Sequence, residues 1–218
     1  MKVSPVLAAA ACAAVSLLAA TPQAMAEKAQ GDLLVRGRVL YVEPDESSSL
    51  SLGGAGIAGK VDADIGAVPE LDFTYFLTDN IGVELILGTT PHEVKAKGTP
   101  LGNVDLGEVW LLPPTLSAQY HFNPKGQISP YVGAGLNYTF FYNVDNGGVA
   151  DVDYTDGFGW SLQAGVDVAL KGPWSLNLDV KKIFIDTKAT VNAGLANPIR
   201  AKVDIDPWVV GIGVGYRF

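Results

Sequence analysis

Several residue types are rare or absent in this chain, and each absence excludes a class of protein. The only cysteine is Cys12, which lies in a leading segment described below, so we expect no disulfide in the rest. The two histidines, His92 and His121, have no second metal ligand at a useful spacing, and no residue is placed as a catalytic nucleophile. We therefore expect no metal, no cofactor and no enzymatic activity.

Basic residues are also few, with 15 lysines and arginines against 23 aspartates and glutamates and a formal net charge of −8. An acidic chain without a basic cluster is not expected to bind nucleic acid. Beyond the leading segment there is no convincing transmembrane helix either. The stretch 126–144 is almost uncharged, but its glycines alternate with larger residues, which is the spacing of a strand.

The first 26 residues have the pattern of a signal peptide. Lys2 precedes an apolar segment from Val6 to Ala20, and a small-residue cleavage motif follows at 24–26. We expect this segment to be removed, which would change the formal charge from −8 to −9. Residues 27–218 are then predicted to form one domain, because no Pro- or Ser-rich linker divides positions 33–218.

The mature chain alternates between apolar and other residues in eight segments, which predicts eight β-strands. They lie near 33–42, 67–77, 81–91, 108–122, 130–142, 159–170, 174–185 and 203–218. Three connections are short and rich in turn residues, whereas those at 43–66, 92–107, 143–158 and 186–202 are long, and 47–60 is predicted to be a flexible surface loop. Short turns at one end and long loops at the other are typical of outer-membrane barrels.

One face of these segments is uncharged, as expected for contact with lipid. Aromatic residues mark its two ends, with Tyr41, Trp110, Tyr142, Trp160 and Trp208 near the loops and Tyr75, Tyr120, Trp174, Tyr216 and Phe218 near the turns. In hydrocarbon, a closed antiparallel barrel pairs every backbone polar group. We therefore predict an all-β fold, an eight-stranded antiparallel transmembrane barrel in the outer membrane of a Gram-negative cell. A soluble lipocalin-like barrel, with its apolar face inside, is the disfavoured alternative.

The opposite face is polar toward the turn end. Its residues are Arg36, Arg38, Asp72, Thr74, Glu84, Gln119, His121, Asn137, Asp167, Asn177, Asp179, Lys181 and Arg217. The lumen of an eight-stranded barrel is only wide enough for side chains, and buried charges must be paired. We therefore predict a polar plug, built chiefly from Arg36, Arg38, Asp72, Glu84, Asp179, Lys181 and Arg217.

The same face is apolar toward the loop end. Its residues there include Leu40, Val42, Val109, Leu111, Phe141, Ile183, Ile185, Ile205 and Val209. They form either a small core beneath loops that fold inward, or a hydrophobic pocket that opens to the outside and is closed below by the plug. We favour the pocket, because ligand sites are common in barrel mouths.

Prolines predict a place where the barrel wall could open. Pro91 lies at the loop end of the third strand, and Pro113 and Pro114 lie near that end of the fourth. Since proline contributes no N–H to a ladder, pairing between these strands should be interrupted. Lateral exit of a ligand into the bilayer is one hypothesis; the alternative is that the prolines only end the strands.

Seven segments resemble the OmpW/AlkL family of small outer-membrane barrels. They are LLVRGRV, TTPH, LLPPT, SPYVGAGLNYTFF, FGWSLQAGVDV, WSLNLDVKKIFIDTKA and DPWVVGIGVGYRF, and they span most of the mature chain. The resemblance implies a hydrophobic lumen and import of small hydrophobic molecules by lateral diffusion. It also implies that the terminal Phe218 is a signal for the barrel-assembly machinery.

Two functions of different classes fit these patterns. The first is passive uptake of small hydrophobic solutes, which the apolar upper half of the lumen favours. The second is a structural or surface-interaction barrel with a filled lumen and loops that bind partners, which the polar plug favours. Outer-membrane lipids are expected partners in both.

Overall fold

The structure is a computed structural model that describes residues 27–43, 46–64, 66–100, 102–192 and 194–218, with backbone only at 46–47, 62–64 and 205. The predicted signal peptide lies outside the described residues. Within them, no helix has the length and apolar character needed to cross a membrane.

The described part of the chain is built from β-strands. In chain order they are β1 (Leu33–Glu43), β2 (Glu46–Leu52), β3 (Ala55–Ile57), β4 (Lys60–Asp64), β5 (Ala67–Phe76), β6 (Ile81–Gly88), β7 (Thr90–Thr99), β8 (Gly102–Leu112), β9 (Thr115–His121), β10 (Ile128–Tyr142), β11 (Asp151–Thr155), β12 (Gly157–Ala169), β13 (Trp174–Asn192), β14 (Ile199–Ile205) and β15 (Trp208–Arg217).

Eight of these strands close a ring of antiparallel pairs. Around the ring, the order is β1, β5, β6, β9, β10, β12, β13 and β15, and β15 pairs with β1 again. The pairing of the first and last strands extends to Phe218, whose N donates to Leu33 O at 2.8 Å. The predicted eight-stranded antiparallel barrel is therefore confirmed.

The two ends of the barrel differ as predicted. Three short turns join β5 to β6, β9 to β10 and β12 to β13 at the end where the chain termini of the barrel meet. The long connections lie at the other end. They are folded largely as strands, however, and the prediction that 47–60 is a flexible loop is wrong, because β2 and β3 form a hairpin there.

Further strands extend the barrel wall beyond the aromatic residues at the loop end. We call them the extension strands; they are β2–β4, β7, β8, β11, β14 and the upper part of β13. Their alternation escaped the sequence analysis because their outer face meets water and is polar. In β7, Val94 and Ala96 are buried, whereas Glu93 and Lys95, at the alternating positions, are exposed. Because charged residues flank the apolar ones, the sequence here lacks the uncharged face that indicates a membrane-spanning strand.

In the membrane half the polarity of the two faces is reversed. Outward residues such as Leu136 (69 % exposed) and Ile212 (65 %) are apolar, whereas inward residues such as Arg36 and Asp72 are charged and fully buried. Trp174 at the turn end and Phe184, which stacks on Trp160 toward the other end, lie on β13. Their ten-residue separation spans roughly 25 Å of bilayer at a rise of about 3.3 Å and a tilt of about 40°.

Inward glycines make room for the long side chains of the lumen. A Cβ at Gly213 would lie 2.2 Å from Gly37 O and 2.6 Å from Arg38 Cγ. A Cβ at Gly37, on the lipid-facing side of the paired strand, would have nothing within 4 Å. Gly213 therefore has no space for a larger side chain, whereas Gly37 does.

We expect Gly213→Val to lower the free energy of unfolding by about 1–3 kcal/mol through overpacking, while Gly37→Val changes it little. Urea unfolding in lipid vesicles, followed by heat-modifiable mobility on gels, measures both. Equal midpoints for the two variants would contradict the tight packing assigned to Gly213.

Candidate functional site: a charged plug beneath two apolar cavities

Buried charged side chains fill the turn-end half of the lumen. We call them the ion-pair cluster; its members are Lys28, Arg36, Arg38, Glu70, Asp72, Glu84, Asp167, Asp179 and Lys181. Arg36 contacts Asp72 at 2.8 Å and Asp167 at 2.9 Å, and Arg38 contacts Asp72 at 3.0 Å and Glu84 at 3.3 Å. Every member has a partner of opposite charge, as burial requires.

Lys28, which precedes β1, closes the bottom of this cluster. Its Nζ lies 2.6 Å from Asp167 Oδ2 and donates to Ser129 Oγ at 2.9 Å. It also lies 2.9 Å from His121 Nδ1, which accepts because an ammonium group can only donate. His121 Nε2–H then donates to Gln119 Oε1 at 3.0 Å. The histidine is thus a neutral structural link, and no cluster of metal-binding side chains occurs in the described ranges.

The placement of the predicted plug residues differs at one position. All of them lie in the ion-pair cluster except Arg217, which sits at the rim of the barrel, where its Nη1 pairs with Asp32 at 2.8 Å. The sequence analysis missed Glu70 and Lys28. Glu70 shares the inward parity of Asp72, so alternation could have found it. Lys28 precedes the first strand, and no periodicity indicates that it turns into the lumen.

Two adjacent cavities lie above the ion-pair cluster. The lower cavity, of about 110 Å³, has mainly apolar walls, with Glu70 and Lys181 also in its lining. The upper cavity, of about 380 Å³, lies among the extension strands and is lined by residues such as Leu50, Val94 and Val203. The upper volume is within the range typical of small-molecule sites.

The predicted single pocket is therefore divided between two cavities. The lower one is lined by Leu40, Val42, Leu111, Ile183, Ile185 and Val209, and the upper one by Val109, Leu111 and Phe141. The side chain of Ile205 lies outside the described residues. The extension strands add much of the lining of the upper cavity, at positions such as Leu50, Val94 and Val191 that the sequence predicts to be in loops.

His92 and Leu111 line both cavities and so mark the boundary between them. His92 Nε2 lies 2.6 Å from Thr90 Oγ1. Burial lowers the pKa of His92 to about 4, because the apolar surroundings disfavour the charged imidazolium. The imidazole is consequently neutral at pH 7, and the boundary carries no charge.

The wall beside the lower cavity has an interrupted ladder. The β6–β9 ladder ends at the pair Ile86 and Thr115, and the β7–β8 ladder starts at Thr90 and Leu111. Pro113 and Pro114 stand between the two ladders. Pro91 does not, because it pairs with Trp110 inside the β7–β8 ladder.

The two prolines of this gap face different neighbours. Pro114 O accepts from Tyr138 N of β10 at 3.2 Å. Since the N–H and C=O of one residue in an extended strand point to the same neighbour, Pro114 faces β10 and Pro113 faces the β6–β7 side. Pro113 lines the lower cavity together with Gly88. The missing N–H at Pro113 therefore lies in the wall beside the lower cavity, between the two ladders.

These features define a class, the small outer-membrane β-barrels, here with a lumen plugged by ion pairs at the periplasmic end and apolar toward the outside. The chain belongs to the OmpW family, whose match covers residues 29–218. It is 43 % identical over 186 residues to the outer-membrane protein y4mB of Sinorhizobium fredii, covering 84 % of this chain and 79 % of that protein.

Two further proteins extend the comparison. The crystal structure of OprG from Pseudomonas aeruginosa matches with a TM-score of 0.81 at 35 % identity, covering 89 % of this chain and 99 % of that chain. The dibenzothiophene metabolism operon protein PahQ of Pseudomonas aeruginosa is 28 % identical over 176 residues, covering 80 % of this chain and 82 % of that protein. Family and fold together place this protein in the outer membrane.

The ion-pair cluster predicts a large cost for removing one partner. We expect Asp167→Ala to lower the free energy of unfolding by about 3–5 kcal/mol, because Lys28 and Arg36 stay buried without this carboxylate. Asp186→Ala, at an exposed position of β13, is the control and should have little effect. Denaturant titration in lipid vesicles measures both, and a small loss for Asp167→Ala would show that the cluster is not a stabilising plug.

Proposed function

We propose that this protein takes up small hydrophobic molecules passively across the outer membrane. The observation that carries the proposal is a pair of adjacent apolar cavities above a lumen that ion pairs close to straight passage. A solute would bind in the upper cavity, pass His92 and Leu111, and reach the lower cavity. The name of the relative PahQ, which refers to dibenzothiophene metabolism, supports an apolar substrate class.

The proposed exit is lateral, through the gap between the β6–β9 and β7–β8 ladders. A solute in the lower cavity meets charged side chains below and the interrupted wall beside it. Moving an apolar solute from this cavity into lipid costs little, whereas passage down the lumen would require breaking buried ion pairs. Of the prolines predicted as a gate, Pro113 is the one at the gap that faces both the cavity and the third strand of the barrel.

We also propose that Phe218 serves as the assembly signal for the barrel-assembly machinery. It directly follows β15, the residue is 70 % exposed, and its backbone joins the last strand to the first. An exposed aromatic side chain next to the closing strand is accessible before the barrel closes.

Uptake can be measured in vesicles whose outer leaflet is lipopolysaccharide. We expect the protein to accelerate uptake of a small hydrocarbon several-fold over protein-free vesicles and to leave glucose uptake unchanged. Leu111→Asp should abolish the acceleration, because it places a charge at the boundary of two apolar cavities. Ser49→Asp, on the exposed face of β2, adds the same charge outside and is the control. Hydrocarbon uptake no faster than in empty vesicles would refute the proposal and favour the surface-interaction barrel.

The lateral exit can be tested separately at the two prolines of the gap. Pro113→Ala restores an N–H toward the β6–β7 side and should slow hydrocarbon uptake several-fold by favouring a closed ladder. Pro114→Ala restores an N–H toward β10 and should change uptake less. An equal response in the two variants would argue against exit at this gap.

A further inference from the structure

The lower cavity has one feature that the passage of hydrocarbons alone does not require. Glu70 and Lys181, both buried, belong to its otherwise mainly apolar lining. Lys181 Nζ lies 3.3 Å from Glu70 Oε1 and 3.2 Å from Glu70 Oε2. A charged pair at the edge of an apolar space gives that space a polar floor.

The hydrogen-bonding capacity of this floor is asymmetric. Lys181 donates two hydrogen bonds to Glu70 Oε1 and Oε2, and its Nζ also lies 3.4 Å from Asp179 Oδ1, so three carboxylate oxygens surround the ammonium group. Glu70 has room for about four hydrogen bonds. It receives the two from Lys181, and Arg38 Nη2 lies 2.5 Å from its Oε1. The Glu70–Lys181 pair therefore has spare acceptor capacity, chiefly at Glu70 Oε2, while its ammonium group is surrounded by carboxylate oxygens.

The charge balance of the ion-pair cluster favours the same type of ligand. Its cations are Lys28, Arg36, Arg38 and Lys181, and its carboxylates are Glu70, Asp72, Glu84, Asp167 and Asp179. The cluster therefore contains one more carboxylate than it has cations. In a low-dielectric lumen, such a surplus repels an anion and attracts a cation or a hydrogen-bond donor.

We propose that the lower cavity is a binding site for molecules with an apolar body and one hydrogen-bond-donating head, an alcohol or a primary amine, and that Glu70 accepts from that head. Carboxylates are disfavoured, because they bring a further anion next to the carboxylates of Glu70 and Asp179. This inference rests on the proposed uptake function, since it names the substrate class of the same passage.

The dimensions of the two cavities agree with such a ligand. The lower cavity, of about 110 Å³, holds a head group and a short apolar segment. A longer body extends past Leu111 into the upper cavity of about 380 Å³. The head then lies beside the interrupted wall at Gly88 and Pro113, where an amphiphile leaving sideways would meet the bilayer.

The test is a binding comparison with the full-length barrel in lipid nanodiscs at pH 7. The probes are 1-octanol, octylamine and octanoate, which share one tail and differ in the head. Methyl NMR shifts of Leu40 and Val209 report occupancy of the lower cavity. We expect octanol and octylamine to bind about tenfold or more tightly than octanoate, the scale of one hydrogen bond to a charged group.

Glu70→Gln keeps the shape of the side chain and removes the surplus carboxylate. It should weaken octylamine about tenfold and strengthen octanoate. Glu93→Gln, at an exposed position of β7, changes net charge equally and should leave the three affinities unchanged. Folding of each variant is checked by heat-modifiable gel mobility, and Glu70→Asp, which keeps the charge, should retain the preference for octylamine.

Equal affinities for the three probes, or a preference for octanoate, would overturn the inference, and so would an unchanged octylamine affinity in Glu70→Gln. Those results leave the proposed function standing if the same protein still accelerates hydrocarbon uptake in vesicles. Loss of the proposed function would instead appear as the absence of hydrocarbon uptake, whichever head group binds best.

Discussion

The pairing of backbone polar groups inside hydrocarbon is the constraint on which the rest of this structure depends. It requires a closed ring, and closure with eight strands leaves a lumen only wide enough for side chains. Inward charges in such a lumen have no water to solvate them. Arg36 and Arg38 are consequently surrounded by carboxylates from several strands, and glycines such as Gly213 provide the space these long side chains occupy.

The polarity of the two faces of the barrel wall reverses where the wall leaves the membrane. Below the upper aromatic belt the outer face is apolar and the lumen is charged, whereas among the extension strands the outer face is polar and the interior is apolar. The same alternation produces both arrangements, because each outer face matches its own solvent. The cavities lie above this reversal, and Glu70 and Lys181 are the charged side chains in the lining of the lower cavity.

In the proposed function, the transport properties would follow from these two halves. The plug would exclude a straight aqueous path, and the apolar cavities would select molecules with little hydration to lose. In the proposed lateral exit, the interrupted ladder at Pro113 would connect the lower cavity to the bilayer, which is apolar like the cavity itself. A donor head at Glu70 would hold an amphiphile with its polar end near the plug and its tail toward the upper cavity.

The sequence by itself determined the barrel, its strand number, the two faces and most of the plug. Eight alternating segments can be counted along the chain, and strands with an uncharged, lipid-facing side pair all their backbone polar groups only by closing into a ring. The sequence did not reveal the extension strands, since their water-facing residues break the greasy pattern, nor Lys28, which reaches Asp167 from outside any strand. Only the tertiary structure divided the predicted pocket in two and separated Pro113 from Pro91. Those results depend on which residues of distant strands meet across the lumen and across the wall, and alternation along one strand carries no information about either.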